Sequence, residues 1–495
     1  MLWLLACELT SNSPHTPSVH ILDDDSLLNV FYLYRLSLLD KDNDDDDFKM
    51  ERQYWVSERW WHPLTHVCQR WRNLIIGSAS YLRLSLLCTK GTPVVDMLAH
   101  SPPLPLVIEF TEIFLDISVE DEEGVIFALT QRNRVRSVRL YMPIAYLAKF
   151  IVAIEKEYPI LECLIIWSWN EDDTTFLMFP ETFHAPHLHH LALRGLTLPI
   201  GSQLLTAATR LVTLRLIMSS PSTYFHPNTL LQWLSFMPQL ETLNISPLFR
   251  PNGDGERQLT QPPVMTPVTL PNLRHVLYHG HISTYLDTLV HYITPFPEKL
   301  ELYFFVDFSN QNTFSVPHLV RFMKTAWNLK FESAKFEFSN WKASVVVYPR
   351  GEAEMCALTV TAESYEFDWL VSYVAQVSNS FGQIFSAVER LTLEYVDVSR
   401  DWSSNELDLE ENGFNRIEWH QLLCSFSNVK TLRIDNEFVK MVSRCLESDG
   451  GGVSSGLLPE LQELTFFQGD ESGDEFTSFV DTRQNAGRPI TLSHY

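Results

Sequence analysis

From about residue 133 onward the chain keeps returning to one arrangement of side chains, apolar-x-x-apolar-x-apolar, often just after a proline or a polar residue. Clear copies are Pro186-His187-Leu188-His189-His190-Leu191-Ala192-Leu193, Arg210-Leu211-Val212-Thr213-Leu214-Arg215-Leu216 and Gln239-Leu240-Glu241-Thr242-Leu243-Asn244-Ile245. Two more are Asn428-Val429-Lys430-Thr431-Leu432-Arg433-Ile434 and Glu460-Leu461-Gln462-Glu463-Leu464-Thr465-Phe466. Weaker copies start near Val135, Leu161, Leu273, Pro297, Phe331, Met355 and Val388. Alternation with period two inside each copy predicts a short half-buried strand, and intervening stretches such as Thr229 to Phe236 predict helices.

The mean step between copies is about 30 residues, near the leucine-rich-repeat range, and its unevenness marks the copies as degenerate. One strand and one helix per copy predict a leucine-rich-repeat solenoid, an α/β repeat with a parallel sheet on the concave face and helices outside. The Pro-, Gly- and Asn-rich segment from Pro247 to Thr269 predicts a loop thrown off that array. Residues between and just after the buried strand positions then face the open side: Arg139, Trp167, Arg194 and Arg215 early, and Glu301, Tyr303, Glu337, Glu394, Arg433 and Asp435 later. The concave face is the expected binding surface for a protein substrate, and its change from basic to acidic would select a partner of matching polarity.

The N-terminal part follows another rhythm. Trp61, Leu64, Val67, Cys68, Trp71 and Leu74 fall at three- and four-residue steps, which predicts one helix with a single apolar side. Upstream, Leu22-Asp23-Asp24-Asp25-Ser26-Leu27-Leu28-Asn29-Val30-Phe31 opens with acids and continues as a Leu/Phe helix. Together with Val67-Cys68-Gln69-Arg70-Trp71-Arg72-Asn73-Leu74 and the following Tyr81-Leu82-Arg83-Leu84-Ser85-Leu86-Leu87-Cys88, this segment resembles the F-box of the F-box-like, leucine-rich-repeat proteins numerous in fungi. The resemblance runs from about Ile21 to Phe110. It departs from the usual pattern at Leu22-Asp23, where Leu-Pro is customary, and in the acidic insert between the helices.

The resemblance implies a small all-α F-box-like domain at residues 21–85 with an acidic insert at 40–47, after a tail at 1–20. A connecting segment at 86–132 would lead into the repeats at 133–495. It also implies partners: a Skp-type linker gripped through Leu22, Leu27, Leu28, Phe31, Leu64, Val67, Cys68 and Trp71, and through it the core of a cullin-RING ubiquitin ligase of SCF type. The alternative is a leucine-rich-repeat interaction scaffold without any ligase role.

Composition narrows the classes further. Across 495 residues, 61 acidic against 37 basic side chains give a net charge of −24. Such a surface cannot release counterions from a phosphate backbone over a broad area, so nucleic acid is not an expected partner. Seven scattered cysteines without a C-x-x-C pair argue against a disulfide framework or a zinc site and are expected as buried thiols. The apolar opening Met1 to Cys7 is too short for a signal sequence or a membrane span, so a cytoplasmic or nuclear location is expected.

Candidate chemistry is sparse. The acidic run Asp40 to Asp47 lacks the glycine and terminal glutamate of a calcium loop and reads as solvated charge. His184, His187, His189 and His190 cluster in sequence, but adjacent strand residues point to opposite faces, which disfavours a shared metal. Gly450 to Gly456 is glycine-rich without a following lysine and reads as a linker. No nucleophile elbow, phosphate loop, zinc-protease helix or dinucleotide fingerprint occurs. No enzyme activity and no cofactor are expected.

Overall fold

The computed structural model describes residues 22–39, 59–111, 117–154, 156–169, 177–248, 267–281, 283–295, 297–305, 316–326, 331–350, 358–364, 367–396, 416–446, 457–466 and 475–494. The acidic run at 40–47, the glycine-rich segment at 450–456 and most of the expected loop after Pro247 lie outside them. Two compact units divide the chain, Met1–Met142 with Tyr158–Leu161, and Pro143–Glu157 with Glu162–Tyr495.

In the first unit, helix α1 (Asp24–Leu39) starts on Asp23, whose carboxylate accepts the Ser26 amide at 2.7 Å. Asp at this position therefore supplies the cap that one of the orphan N–H groups of a helix start needs. The single helix expected around Trp61 to Leu74 is instead two, α2 (His62–Thr65) and α3 (Gln69–Gly77). Cys68 is extended between them, and its sulfur accepts the Trp71 amide at 3.5 Å as the cap of α3. The three- and four-residue spacing runs straight through that break, so periodicity alone could not reveal it.

The expected connector at 86–132 is structured. It holds strands β1 (Leu86–Cys88) and β2 (Leu106–Thr111) and helices Val94–His100 and Val119–Thr130. Strands β1, β2 and β3 (Val135–Pro143) pair in parallel in that order. Leu86, Leu87, Leu106, Val107, Ile108 and Phe110 are all buried. Strands buried on both faces lack the apolar-polar alternation that marks the later copies, which is why they read as a connector.

The second unit carries the repeats as parallel strands: β4 (Cys163–Trp169), β5 (His190–Arg194), β6 (Thr213–Met218), β7 (Thr242–Pro247), β8 (His275–Gly280) and β9 (Lys299–Phe305). Leu188, Leu191, Leu193, Leu211, Leu214 and Leu216 are buried, as the pattern requires. The helix expected at 229–236 spans Pro227–Leu234. Strand-face and helix side chains meet in the core: Tyr278 packs on Tyr285 at 6.2 Å between ring centroids.

Beyond β9 the simple succession fails. The next strands in the chain are β10 (Phe331–Phe338), β11 (Lys342–Pro349) and β12 (Leu358–Glu363), but β9 pairs in parallel with β12. Strand β11 lies antiparallel between β12 and β10, and β10 hands the sheet on to β13 (Arg390–Tyr395). The succession resumes through β14 (Thr431–Ile434), β15 (Glu463–Phe466) and β16 (Thr491–His494). Phe338 anchors this half, packing against Trp419 at 5.8 Å and Phe438 at 5.3 Å, residues on the helices Arg416–Cys424 and Asn436–Leu446.

Candidate protein-interaction faces

The helical start of the first unit divides the expected linker-binding residues into two groups. Leu27 and Phe31 are 1% and 2% exposed and belong to the core. Trp71 meets Phe31 edge-on at 4.9 Å, so it too holds the helices together. Leu22 and Val67 face solvent, at 40% and 59% exposed, while Leu28, Leu64 and Cys68 are half-buried. Arg70 ties these pieces at one end: its guanidinium donates to the Leu22 carbonyl at 2.6 Å and the Asp24 carboxylate at 2.7 Å. The exposed Leu22 supplies one acceptor of that tie, and the exposed Val67 lies three residues before Arg70 in the chain. Val30, Leu33 and Tyr81 add further exposed apolar surface in the same unit.

Arg139, expected on an open face, is instead part of a buried pair in the first unit. Its guanidinium lies 3.8 Å from Glu109, with side chains only 12% and 3% exposed. The pair neutralises itself away from water, where one partner alone would be costly.

The open sheet face of the second unit is built by register. Trp167, Arg194 and Ile217 stand side by side on β4, β5 and β6, and the next row reads Ile165, Ala192 and Arg215. Ala192 is the small member of its row. The Arg215 guanidinium carbon lies 4.7 Å from the Trp167 ring centroid, two strands away, where the ring's negative face attracts it. Gly195, directly after Arg194, has φ +73° and backs onto Ser168, whose hydroxyl donates to the Arg194 carbonyl at 3.1 Å. A Cβ there would sit 2.6 Å from the Ser168 carbonyl oxygen, so only glycine lets the two strand ends close up beside Trp167 and Arg194.

Charges on this face fall into two zones. Strands β4 to β8 contain no aspartate or glutamate at all. Burial, and then the neighbouring Arg215 charge, both act against the charged form of Arg194. His279 on β8 is pushed down to about 4 by burial and then by His281 and Arg215. From β9 onward acids stand beside bases. Glu301 lies 2.5 Å from Lys299 and 3.4 Å from His275. The nearby His275 imidazole, against the opposing effect of burial, holds its carboxyl down to about 2, with Lys299 adding to the effect. Lys335 reaches Glu337 and Glu394 at 2.7 Å each. The expected acidic later zone is thus partly paired, with Lys335 shared by two glutamates so that this cluster stays net negative, and Arg433 is exposed beyond it on β14. Tyr303 belongs to neither group: it packs edge-on against His279 at 5.6 Å, with Lys342 at 5.9 Å over its ring. The Trp167–Arg215 contact and the His279–Tyr303 contact escaped the sequence, because both depend on which strands become neighbours.

The clustered histidines find separate partners, His184 beside Glu157 at 3.6 Å and His187 accepting from Arg210 at 2.7 Å. No group of three or more metal-ligating side chains occurs among the described residues. Of the cysteines, Cys88 and Cys445 are buried as expected, but Cys424 is exposed beside His420 at 3.4 Å. No helix among the described residues is long and apolar enough to cross a membrane.

Parallel strands with buried leucines on one face and helices packed against it define a leucine-rich-repeat-like α/β array. No protein-family model and no curated protein matches the chain. Among solved structures it is similar to the leucine-rich repeat-containing protein LegL7 from Legionella pneumophila, at 11% identity over 82% of this chain and 99% of that one, with a TM-score of 0.27. The repeat array is defined by the register of its parallel strands.

Proposed function

We propose that this protein is an interaction scaffold that holds a protein partner on the open sheet face of its second unit. The half-buried polar and aromatic rows on one face of an otherwise apolar-cored sheet support this reading. A repeat array offers a broad, rigid face, and binding there needs no chemistry of its own. The finer reading is a substrate-recruiting adaptor of an SCF-type ubiquitin ligase, in which the N-terminal helices dock a Skp-type linker and ubiquitin transfer is done by other subunits. Its support is the F-box resemblance together with the apolar side chains of Leu22 and Val67 left exposed in the same unit.

Affinity purification of the full chain with mass spectrometry tests both levels, followed by binding to a purified Skp-type protein. Leu22→Asp with Val67→Asp is the informative variant, because both side chains face solvent, whereas Trp71→Ala would also strip packing from Phe31. The adaptor reading expects the Skp-type protein with wild type and its loss from the folded double variant. Wild-type protein that ignores the Skp-type linker but retains a sheet-face partner leaves the scaffold and removes the ligase.

A further inference from the structure

We infer that the patch around Trp167, Arg194 and Arg215 receives an extended protein segment bearing clustered anionic side chains. The inference rests on the scaffold reading and names the chemistry of its partner. Its first support is compositional. The chain carries 61 acidic residues, yet five successive strands of one sheet carry none, while Arg194, Arg215 and His279 stand among them.

The second support is an unmet demand. The Arg194 Nε is buried and donates to no acceptor, although a buried donor left without a partner costs free energy. The neighbouring Arg215 charge also raises the cost of the Arg194 charge. An oxyanion set between them would answer both: it accepts from Arg194 and screens the like charges. Arginine suits the task, since its planar fork matches carboxylate or phosphate oxygens and is weakly hydrated. Trp167 fixes the Arg215 guanidinium and offers a flat wall for the segment's backbone or an apolar neighbour.

The third support is contrast along the same sheet. Lys335 sits between two carboxylates at 2.7 Å, so an incoming anion gains little there. The first strands are therefore the place where an acidic segment is attracted rather than repelled by this acidic chain.

The test uses the full chain and fluorescein-labelled synthetic peptides in anisotropy titrations: a Glu/Asp-rich peptide, its phosphoserine counterpart, a Gln/Asn-rich peptide and a Lys-rich peptide. The two anionic peptides should bind, weaken with added salt, and lose about tenfold or more in affinity in Arg194→Gln with Arg215→Gln. A preference between them tells carboxylate from phosphate as the oxyanion. Lys335→Gln, neutralised in wild type by its glutamates, should leave those affinities unchanged and shows that the loss is local. Anionic peptides that bind no tighter than the neutral one, or equally well to the double variant, overturn the inference. If the neutral peptide binds and is displaced by a Trp167→Ala change, the sheet face is an interaction surface of another polarity. If no peptide binds and full-length partners ignore sheet-face variants, the scaffold reading falls as well.

Discussion

The Arg215 guanidinium lies over the Trp167 ring at 4.7 Å although two strand spacings separate their backbones. Ala192 makes this reach possible, because it occupies the position between Ile165 and Arg215 with a single methyl group. A larger residue there would stand in the path of the Arg215 side chain. Ala192→Leu should therefore displace the cation from the ring and cost about 1–3 kcal/mol through crowding. Urea unfolding midpoints measure it, and a double-mutant cycle of Trp167→Leu with Arg215→Gln should show a coupling of about 0.5–2 kcal/mol in wild type that vanishes in the Ala192→Leu background.

Gly195→Ala should be more harmful than an exposed glycine substitution usually is. The left-handed backbone at φ +73° disfavours any side chain, and the new methyl would meet both oxygens of Ser168. Thermal melting should fall by several degrees, corresponding to at least about 1 kcal/mol. Ser168→Ala in the same chain removes the hydroxyl at 2.5 Å but leaves the carbonyl at 2.6 Å, so it should not restore stability. Full rescue by Ser168→Ala would show that the hydroxyl alone was the obstacle.

The leucines of the repeat were legible because a one-residue slip would have turned each of them to the other face, and Leu191, Leu193, Leu214 and Leu216 are all buried. Less visible was anything set by pairing between distant segments. The alternating run Lys342 to Pro349 reads as a strand once seen, but nothing local tells that it inserts antiparallel between β10 and β12. Cys68 shows the opposite failure: its spacing fits a helix while its backbone is extended, because capping α3 outweighs continuing α2. Leu27 and Phe31 were expected at an interface and lie in the core, since apolar spacing marks a buried face without saying what buries it.

Acid should weaken the second unit in two stages. His279 has its pKa depressed from 6.5 to about 4, so between those values the unfolded chain binds the extra proton. Its contribution to stability is complete above 6.5 and is lost as the pH falls through that window. Glu301, depressed from 4.5 to about 2, contributes above 4.5 and loses its contribution as the pH falls toward 2. Urea midpoints followed across this range should drop first with His279, and His279→Asn should flatten the upper stage while leaving the lower one. An unchanged upper stage in that variant would place the titration elsewhere.

The two groups of N-terminal residues should separate cleanly in stability measurements. Phe31→Ala removes a buried ring in contact with Trp71 and should cost about 3–5 kcal/mol. Val67→Ala, at a site 59% exposed, should stay within about 0.5 kcal/mol. Comparable losses from both would mean that Val67 is covered in solution.

The detour of the chain at β10 to β12 gives the repeat array a seam. In an uninterrupted solenoid each strand docks on the one just before it, so a growing chain can cover every new edge as soon as the next copy emerges. Here the edge of Lys299–Phe305 is covered only by Leu358–Glu363, after two antiparallel strands have been made and folded back. A chain ending near residue 330 would thus present a bare parallel edge, open to pairing with other molecules. A chain ending near residue 364 has that edge covered but leaves the edge of Phe331–Phe338 bare instead, because its partner Arg390–Tyr395 is missing. Shortened forms of this protein should accordingly expose a different strand depending on where they stop relative to the seam, Lys299–Phe305 before it and Phe331–Phe338 after it.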